Sequence, residues 1–287
     1  MTNFKKVSPL YTVYYYTDFL YRVVKFKRRS DGIRLPDPDE EGPQERFAQS
    51  YCRSRSMVLQ YALCNHWDYF ITITVSPEKF DRWDLNDIYR YLSQWFRDFR
   101  KLYGGVRYVL VPEHHKDGAW HFHGLIADIP SEFLSPFVRG IHPDKLVDAG
   151  YLNFGLLAEH IGYVSLGKLR DPVGAAFYVV KYITKEHAHD DFYQHLYFCT
   201  RGLNRARPVA DCYSSNPTLD ACLEFECDFC SCGWARDKDW TFAASPDLEP
   251  RQFADLVPVP EELLVSDPDF VQLSIVDWLE FEHRQKK

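Results

Sequence analysis

The segments Val106–Glu113 and Trp120–Ala127 are both typical of β-strands, and only six residues separate them. A connection this short joins two strands as an antiparallel hairpin. The pairing register of a hairpin decides which side chains share a face of the sheet. This hairpin therefore constrains the fold of the chain, and the position of any site on it, more than any other feature.

The length of the hairpin loop sets that register. A two-residue turn would pair Glu113 with Phe122. A three-residue loop, Lys116–Gly118, pairs Glu113 with His121 instead. The three-residue type needs a left-handed residue at its last position, where glycine is favoured, and Gly118 stands there. We therefore predict the three-residue loop.

A set of potential metal ligands follows from this register. Alternation along WHFHGLIA places His121 and His123 on one face of the strand, and the predicted pairing adds Glu113 to that face. Two imidazoles and one carboxylate leave half of the positions around an octahedral ion open. Mg²⁺ or Mn²⁺ in such a site would suit phosphate chemistry. We predict a site for one of these ions, with His115 as a less favoured ligand.

The segment AFYVVKYITKE predicts an amphipathic helix with two distinct faces. Asp171 suits the N-cap position and Pro172 the first helical position. Apolar residues at helical spacing form one face: Ala176, Val179, Val180 and Ile183. The other face holds two tyrosines one turn apart, each followed three residues later by a lysine: Tyr178, Lys181, Tyr182 and Lys185. Half-buried tyrosines and solvated lysines would give the same pattern, so this face is a functional candidate only together with the metal site.

The remaining segments predict an α+β fold, in which a central, mostly antiparallel sheet has helices packed on one face. Further strands are expected at 69–75, 161–169 and 193–200, and further helices at 46–65 and 85–103. We expect three parts. They are an N-terminal extension over 1–65 with a linker at 30–45, a central domain over 66–205, and a C-terminal extension with an acidic tail over 206–287.

Composition and charge narrow the functional classes. The sequence has no apolar stretch long enough to span a membrane and no signal peptide, so we expect a cytoplasmic protein with reduced thiols and no membrane partner. The net charge of −7 argues against nucleic-acid binding. However, residues 1–110 hold 18 basic and 13 acidic residues, whereas 241–287 hold four and ten. Contacts to DNA are therefore expected from Arg53 and Arg55, together with Thr72 and Thr74 of the strand YFITITV.

Two other motifs are weaker. Residues 162–169 have the glycine spacing of a P-loop, but Leu169 stands where a serine or threonine is needed. Strand unwinding would therefore fall to a host helicase. The four cysteines within Cys222–Cys232 lack the two separated pairs of a typical zinc site, so buried or incidental thiols are favoured over zinc.

The motif Glu113…His121-Phe122-His123 and the later Tyr178-x-x-Lys181-Tyr182-x-x-Lys185 resemble the HUH endonuclease family. More closely, the chain is similar to the two-tyrosine rolling-circle replication initiators of bacteriophages and plasmids. The similarity covers roughly residues 50–205, and FITITV resembles the first motif of these proteins. The resemblance implies that residues 66–205 form an HUH nuclease domain with an RRM-like palm.

The resemblance also implies an activity. Tyr178 and Tyr182 would alternate as nucleophiles, while Lys181 and Lys185 would stabilise charge or assist proton transfer. The protein would nick single-stranded origin DNA in a bacterial host cell and remain joined to the 5′ phosphate through tyrosine. The 3′-hydroxyl would serve a host polymerase. The order in which the two tyrosines act stays open.

Two other functions remain open at this point. Two histidines and a carboxylate also bind iron in non-haem oxygenases, although the tyrosine–lysine face would then have no role. A non-catalytic DNA-binding module is the other alternative, in which the polar cluster between Glu113 and His123 would be ordinary surface. A covalent protein–DNA product would distinguish the nickase from both.

Overall fold

A computed structural model describes residues 10–17, 20–26, 43–115, 117–183, 196–212, 225–226, 230–241 and 252–255. The elements in chain order are β1 (Tyr11–Thr17), β2 (Leu20–Phe26), α1 (Pro43–Leu63), β3 (Tyr69–Val75), α2 (Leu85–Tyr103), β4 (Arg107–His114), β5 (Trp120–Ala127), a 3₁₀ turn (Ser131–Phe133), β6 (Leu134–Pro136), α3 (Asp144–Asp148), β7 (Leu152–Phe154), α4 (Gly155–Ile161), β8 (Gly162–Lys168), α5 (Pro172–Lys181), β9 (Phe198–Cys199), β10 (Arg207–Cys212), β11 (Phe225–Glu226), β12 (Cys230–Thr241) and β13 (Gln252–Asp255). None of the described helices is both long enough and apolar enough to cross a membrane.

The described residues divide into two compact units, of which the larger covers Pro43–Leu203. Its sheet has seven strands in the order β6-β7-β8-β3-β5-β4-β9. All neighbouring strands pair antiparallel. The α+β class with an antiparallel sheet is therefore confirmed. The central strand β3 lies between β5 and β8, so residues on β3 can contact side chains from both neighbours.

One face of this sheet carries the main hydrophobic core. Helix α2 begins at Asp84, whose carboxylate accepts a hydrogen bond from the backbone N–H of Asp87, and ends before Gly104. Its apolar stripe is buried against this face: Leu85, Ile88, Leu92, Phe96 and Phe99. Residues of β3 and β5 that point the same way, including Ile73 and Phe122, are fully buried in the same cluster. This packing leaves the residues that alternate with them on the opposite face.

That opposite face carries the histidines. Cross-strand pairs in the sheet bring together Thr72 with His123 and Thr74 with His121. Helix α5 lies over this face, because the ring of Tyr182 stacks on that of His123. Helix α1 packs against α5. The structure thus adds helices on the second face of the sheet, whereas the sequence predicted helices on one face.

The smaller unit combines the described residues before Pro43 with those from Asn204 onward. Its strands run in the order β10-β1-β2-β12-β11, and β13 also pairs with β12. A small core lies in this unit: Tyr11, Val13, Val23, Ala210, Cys212 and Ala235. The two segments that we expected as separate extensions thus contribute strands to one sheet. Helix α1, expected in the N-terminal extension, lies within the larger unit.

The two weaker motifs have different outcomes. Residues 162–168 form strand β8, which pairs with β3 along its whole length, so this segment is not a phosphate-binding loop. Within the cysteine segment, Cys232 is buried and accepts a hydrogen bond from Nη2 of Arg22. Cys222 and Cys227 lie outside the described residues, as does the side chain of Cys230. The zinc question therefore stays a sequence-based prediction.

The close approach of β4 and β5 generates a first prediction. A Cβ added at Gly124 would overlap the carbonyl oxygen of Val109 and lie 2.9 Å from the Cα of Leu110. We expect Gly124→Ala to lower the free energy of unfolding by about 2–3 kcal/mol, because two paired backbones must move apart. Gly155→Ala is the matched control, since an added Cβ there meets nothing within 4 Å. Denaturant unfolding measures both, and equal effects would contradict the account.

Candidate active site

The β4–β5 hairpin positions the first group of candidate residues. Glu113 pairs with His121, as the three-residue loop predicts. The backbone N–H of His115 donates to the carbonyl of Ala119 at 2.8 Å, which closes the loop. Gly118 has a φ of +82°, the left-handed conformation expected at the last loop position. The predicted register is therefore confirmed, and the carboxylate and both imidazoles share one face.

His123 lies between a carboxylate and a hydroxyl. Its Nε2 is 2.9 Å from Oε2 of Glu113, and its Nδ1 is 3.2 Å from Oγ1 of Thr72 on β3. The ring is buried, whereas the Glu113 side chain is about one-third exposed. A side chain that holds one ring nitrogen of a histidine fixes the orientation of the ring and the role of the other nitrogen. Thr72, predicted as a DNA contact, is thus placed against His123.

His121 is buried next to two other imidazoles. Its ring centroid lies 6.4 Å from that of His123 and 5.1 Å from that of His115, and the His115 and His121 rings are nearly parallel. Burial first, and then the neighbouring His123 and His115, lower the pKa of His121 to about 3. His121 is therefore a neutral imidazole at neutral pH, which is the form that binds metal ions.

The donor set fits a divalent cation in its chemistry. Two imidazoles and one carboxylate stand on one sheet face at the end of two paired strands. In the described part of the chain, however, no three His, Cys, Asp or Glu side chains already form a metal-binding cluster. The direct contact between Glu113 and His123 explains this, because the Glu113 side chain must turn away from the ring before both can bind a common ion.

Helix α5 positions the two tyrosines. The carboxylate of Asp171 accepts hydrogen bonds from the backbone N–H groups of Val173 and Gly174, and Pro172 follows it in the first turn, as predicted. The predicted apolar face is buried: Ala176, Val179, Val180 and Ile183. The helix ends at Lys181, so Tyr182 is its C-cap residue. The opposite face of the helix then meets the sheet through its tyrosines.

The two tyrosines contact each other and the histidine face. The rings of Tyr182 and His123 are parallel within 11°, with centroids 4.1 Å apart. Oη of Tyr182 donates a hydrogen bond to Oη of Tyr178 at 2.7 Å. The ring of Phe70 lies between these groups, 5.5 Å from Tyr178 and 6.2 Å from His123. Helix and hairpin therefore bring two phenols and the imidazole–carboxylate group into one continuous cluster.

The two phenols differ in their surroundings. Tyr182 is buried at 6% exposure, whereas Tyr178 is only partly buried. Burial raises the pKa of Tyr178, the hydrogen bond from Tyr182 lowers it, and the charge of Glu113 raises it. Without a bound cation, Tyr178 is therefore a neutral phenol at neutral pH. Its oxygen is the acceptor in the phenol pair, so the hydrogen bond favours its ionised form.

The other candidate residues lie at varying distances from this cluster. Lys181 is exposed, with Nζ 6.0 Å from the ring centroid of Tyr178, while Lys185 lies outside the described residues. Thr74 is buried beside His121. Arg55 donates a hydrogen bond to Oη of Tyr51 within α1, and Arg53 is exposed on the same helix. The structure thus brings Thr72 and Thr74 to the site and places the two arginines on α1.

Two contributors were not identified from the sequence. Alternation along YFITITV places Phe70 on the same face as Thr72, and that signal could have identified it. Arg82 lies in the connection between β3 and α2, and its Nη2 donates to Oδ2 of Asp117 at 2.8 Å. No pattern in the sequence indicates this long-range contact, because loop residues follow no periodicity.

Comparisons with known proteins agree with this placement. A family model described as Replication-associated protein, of the ORF2 group, matches residues 68–187. The matched segment runs from the start of β3 through α5, and it therefore contains the hairpin ligands and both tyrosines. The similarity connects this part of the chain with replication-associated proteins and supports a role in replication. No curated protein and no solved structure matches the chain.

The phenol pair generates a prediction about ionisation. We expect Tyr182→Phe to raise the pKa of Tyr178 further above its ordinary value, because it removes the hydrogen bond that favours the phenolate. Carbon-13 NMR of the tyrosine ring, recorded during a pH titration of metal-free protein, measures this shift. Tyr103→Phe, at a half-exposed tyrosine at the end of α2, is the control. An unchanged or lower pKa of Tyr178 in Tyr182→Phe would contradict the assignment.

Proposed function

We propose that this protein is a rolling-circle replication initiator that nicks and rejoins single-stranded origin DNA through a phosphotyrosine intermediate. The observation that carries the proposal is the contact between the two groups the sequence singled out separately. Tyr182 stacks on His123 at 4.1 Å and donates to Tyr178, so both phenols lie against the imidazole–carboxylate face. A phosphodiester bound there would lie between a nucleophile and the groups that orient it.

Tyr178 is proposed as the first nucleophile. It is the more exposed of the two phenols, and its oxygen accepts the hydrogen bond from Tyr182. That bond stabilises negative charge on Oη of Tyr178 as it forms. Tyr182 has the opposite position, since its ring is buried against His123 and its hydroxyl is a donor. In the first cleavage Tyr182 therefore positions Tyr178.

The chemical step conserves the number of phosphoester bonds. Oη of Tyr178 bonds to phosphorus as the bond from phosphorus to the 3′-oxygen breaks, and the electron pair of that bond leaves with the 3′-oxygen. The phenol loses one proton to water, and the departing 3′-oxygen takes one up to become a hydroxyl. The exposed ammonium of Lys181, near the Tyr178 ring, adds positive charge beside the phosphate. Because a phosphate ester replaces a phosphate ester, the step can run backwards and rejoin DNA.

A cation is proposed to complete the site. Glu113, His121 and His123 would hold it, and the Thr72 hydroxyl would orient the His123 ring through its other nitrogen. A bound Mg²⁺ or Mn²⁺ would neutralise charge on the non-bridging phosphate oxygens and offset the Glu113 charge that opposes ionisation of Tyr178.

The second tyrosine gives the reaction its direction. After the first nick, a host polymerase would extend the free 3′-hydroxyl while a host helicase separates the strands. Tyr182 would then attack the regenerated origin, and the new 3′-hydroxyl would attack the phosphotyrosine at Tyr178 to close a circle. For this step Tyr182 must leave its stack on His123, which a rotation at the end of α5 would allow, since Tyr182 is the C-cap residue.

The proposal predicts a covalent protein–DNA product. Single-stranded oligonucleotides that tile the DNA around this reading frame, labelled at the 3′ end, are incubated with Mn²⁺ and separated on a denaturing gel. We expect a labelled band at the mass of the protein with one oligonucleotide. Tyr178→Phe should lower the rate of the first cleavage by at least about 100-fold, because the favoured nucleophile is lost.

The matched variant is Tyr182→Phe, which keeps the ring and removes only the hydroxyl. It should still form the covalent band, more slowly, but should not release a joined circle. Normal adduct formation by the Tyr178→Phe/Tyr182→Phe double variant would show that neither tyrosine is the nucleophile. That result would refute the proposal.

The metal site makes a separate prediction. Mn²⁺ affinity, measured by electron paramagnetic resonance of the free ion, should fall by at least about tenfold in His121→Ala, since even indirect contacts to a metal contribute 10–100-fold. His160→Ala, at an exposed histidine on α4, should bind Mn²⁺ like the wild type. Equal affinity in both variants would place the ion elsewhere.

A further inference from the structure

An exposed tryptophan stands beside the candidate active site and has no role in the mechanism above. Trp83 is 58% exposed, in the connection between β3 and α2. Large exposed aromatic side chains in soluble proteins often mark binding surfaces. Trp83 is also held in place, because its backbone N–H donates to Oδ1 of Asp81 and its indole N–H donates to the carbonyl of Asp117 at 3.3 Å.

The indole is packed onto the loop of the β4–β5 hairpin. A Cβ added at Gly118 would lie 3.5 Å from Nε1 of Trp83, so the indole edge already fits against this glycine. The guanidinium of Arg82 lies 5.5 Å from the centroid of the Trp83 ring system and also pairs with Asp117. An exposed ring with a fixed orientation loses little conformational entropy when a flat ligand stacks on it.

A continuous set of contacts joins this ring to the metal-binding residues. Asp117, which accepts from Trp83 and Arg82, also contacts Nδ1 of His115 at 3.1 Å. The ring of His115 in turn stacks on His121, with centroids 5.1 Å apart. Trp83 therefore stands at the end of the hairpin that carries Glu113 and His121. A DNA strand whose scissile phosphate lies at the site would pass close to it.

The chemistry of the surface favours a base over a phosphate. Three carboxylates surround the indole, and each accepts a hydrogen bond: Asp81 from the Trp83 N–H, Asp84 from the Asp87 N–H, and Asp117 from Arg82. These charges repel a phosphate backbone, whereas an indole face attracts any nucleobase. The one unused donor is Nε of Arg82, which is buried and has no hydrogen-bond partner among the described residues.

From this arrangement we infer that Trp83 is a stacking platform for one unpaired base of the DNA strand next to the scissile phosphate. The inference rests on the proposed function, because it takes single-stranded DNA as the ligand. Stacking on an aromatic side chain depends little on base identity. Trp83 thus adds affinity for unpaired DNA at the cleavage site without contributing to the choice of origin sequence.

Fluorescence anisotropy of two 15-nucleotide probes tests this directly, with the whole protein in EDTA so that no cleavage occurs. One probe is fluorescein-labelled oligo-dT, and the other is an abasic strand of the same length. Trp83→Ala should weaken binding of oligo-dT by about five- to 100-fold, the effect of one lost stack, and should leave binding of the abasic strand unchanged. Trp83→Phe should keep most of the affinity, because a phenyl ring still stacks.

Tyr103→Ala is the control, since Tyr103 is an aromatic residue of similar exposure at the far end of α2. Trp83→Leu, which keeps apolar bulk without an aromatic face, should behave like Trp83→Ala and guards against a loss of folding. Unchanged binding of oligo-dT, or an equal loss for both probes, would overturn the inference. Tyr178→Phe should bind both probes normally, so a failure of the nicking mechanism would leave this measurement unaffected.

Discussion

The pairing of Glu113 with His121 across the β4–β5 hairpin is the constraint on which the rest of the site depends. A shift of one residue would move the carboxylate to the face that carries the hydrophobic core, away from both imidazoles. The hairpin avoids this shift through its loop, where Gly118 adopts the left-handed conformation that a three-residue connection requires. A single glycine in the loop thus decides whether three potential ligands meet.

The second requirement is that a helix covers this face with hydroxyl groups. Helix α5 follows β8 after a short connection, and Asp171 fixes its start. Its apolar residues are buried, so its tyrosines are directed toward His123. Because Tyr182 is both the C-cap residue and the residue stacked on the imidazole, the end of the helix coincides with the site. Such a position gives a buried phenol a local route to move without unfolding the helix.

Local signals in the sequence were sufficient for the hairpin register, the capping of α5 by Asp171 and the burial of its apolar face. Each of these depends on residues close together in the chain, where spacing determines geometry. The smaller unit could not be predicted, because β1 and β2 pair with β10 and β12 across nearly two hundred residues of sequence. The contacts of Arg82 and Trp83 with Asp117 were missed for the same reason, since they join two loops that only the folded sheet brings together.

The central claim is that Tyr178 forms the covalent bond to DNA. Trypsin cleaves after Arg170, Lys181 and Lys185, so it separates the two tyrosines into the peptides DPVGAAFYVVK and YITK. Mass spectrometry of the nuclease-trimmed first-cleavage adduct can therefore identify the nucleophile without any mutation. The account predicts a nucleotide attached to the peptide that contains Tyr178. A nucleotide found only on YITK would reverse the order of the two tyrosines, and one found on neither peptide would contradict the mechanism itself.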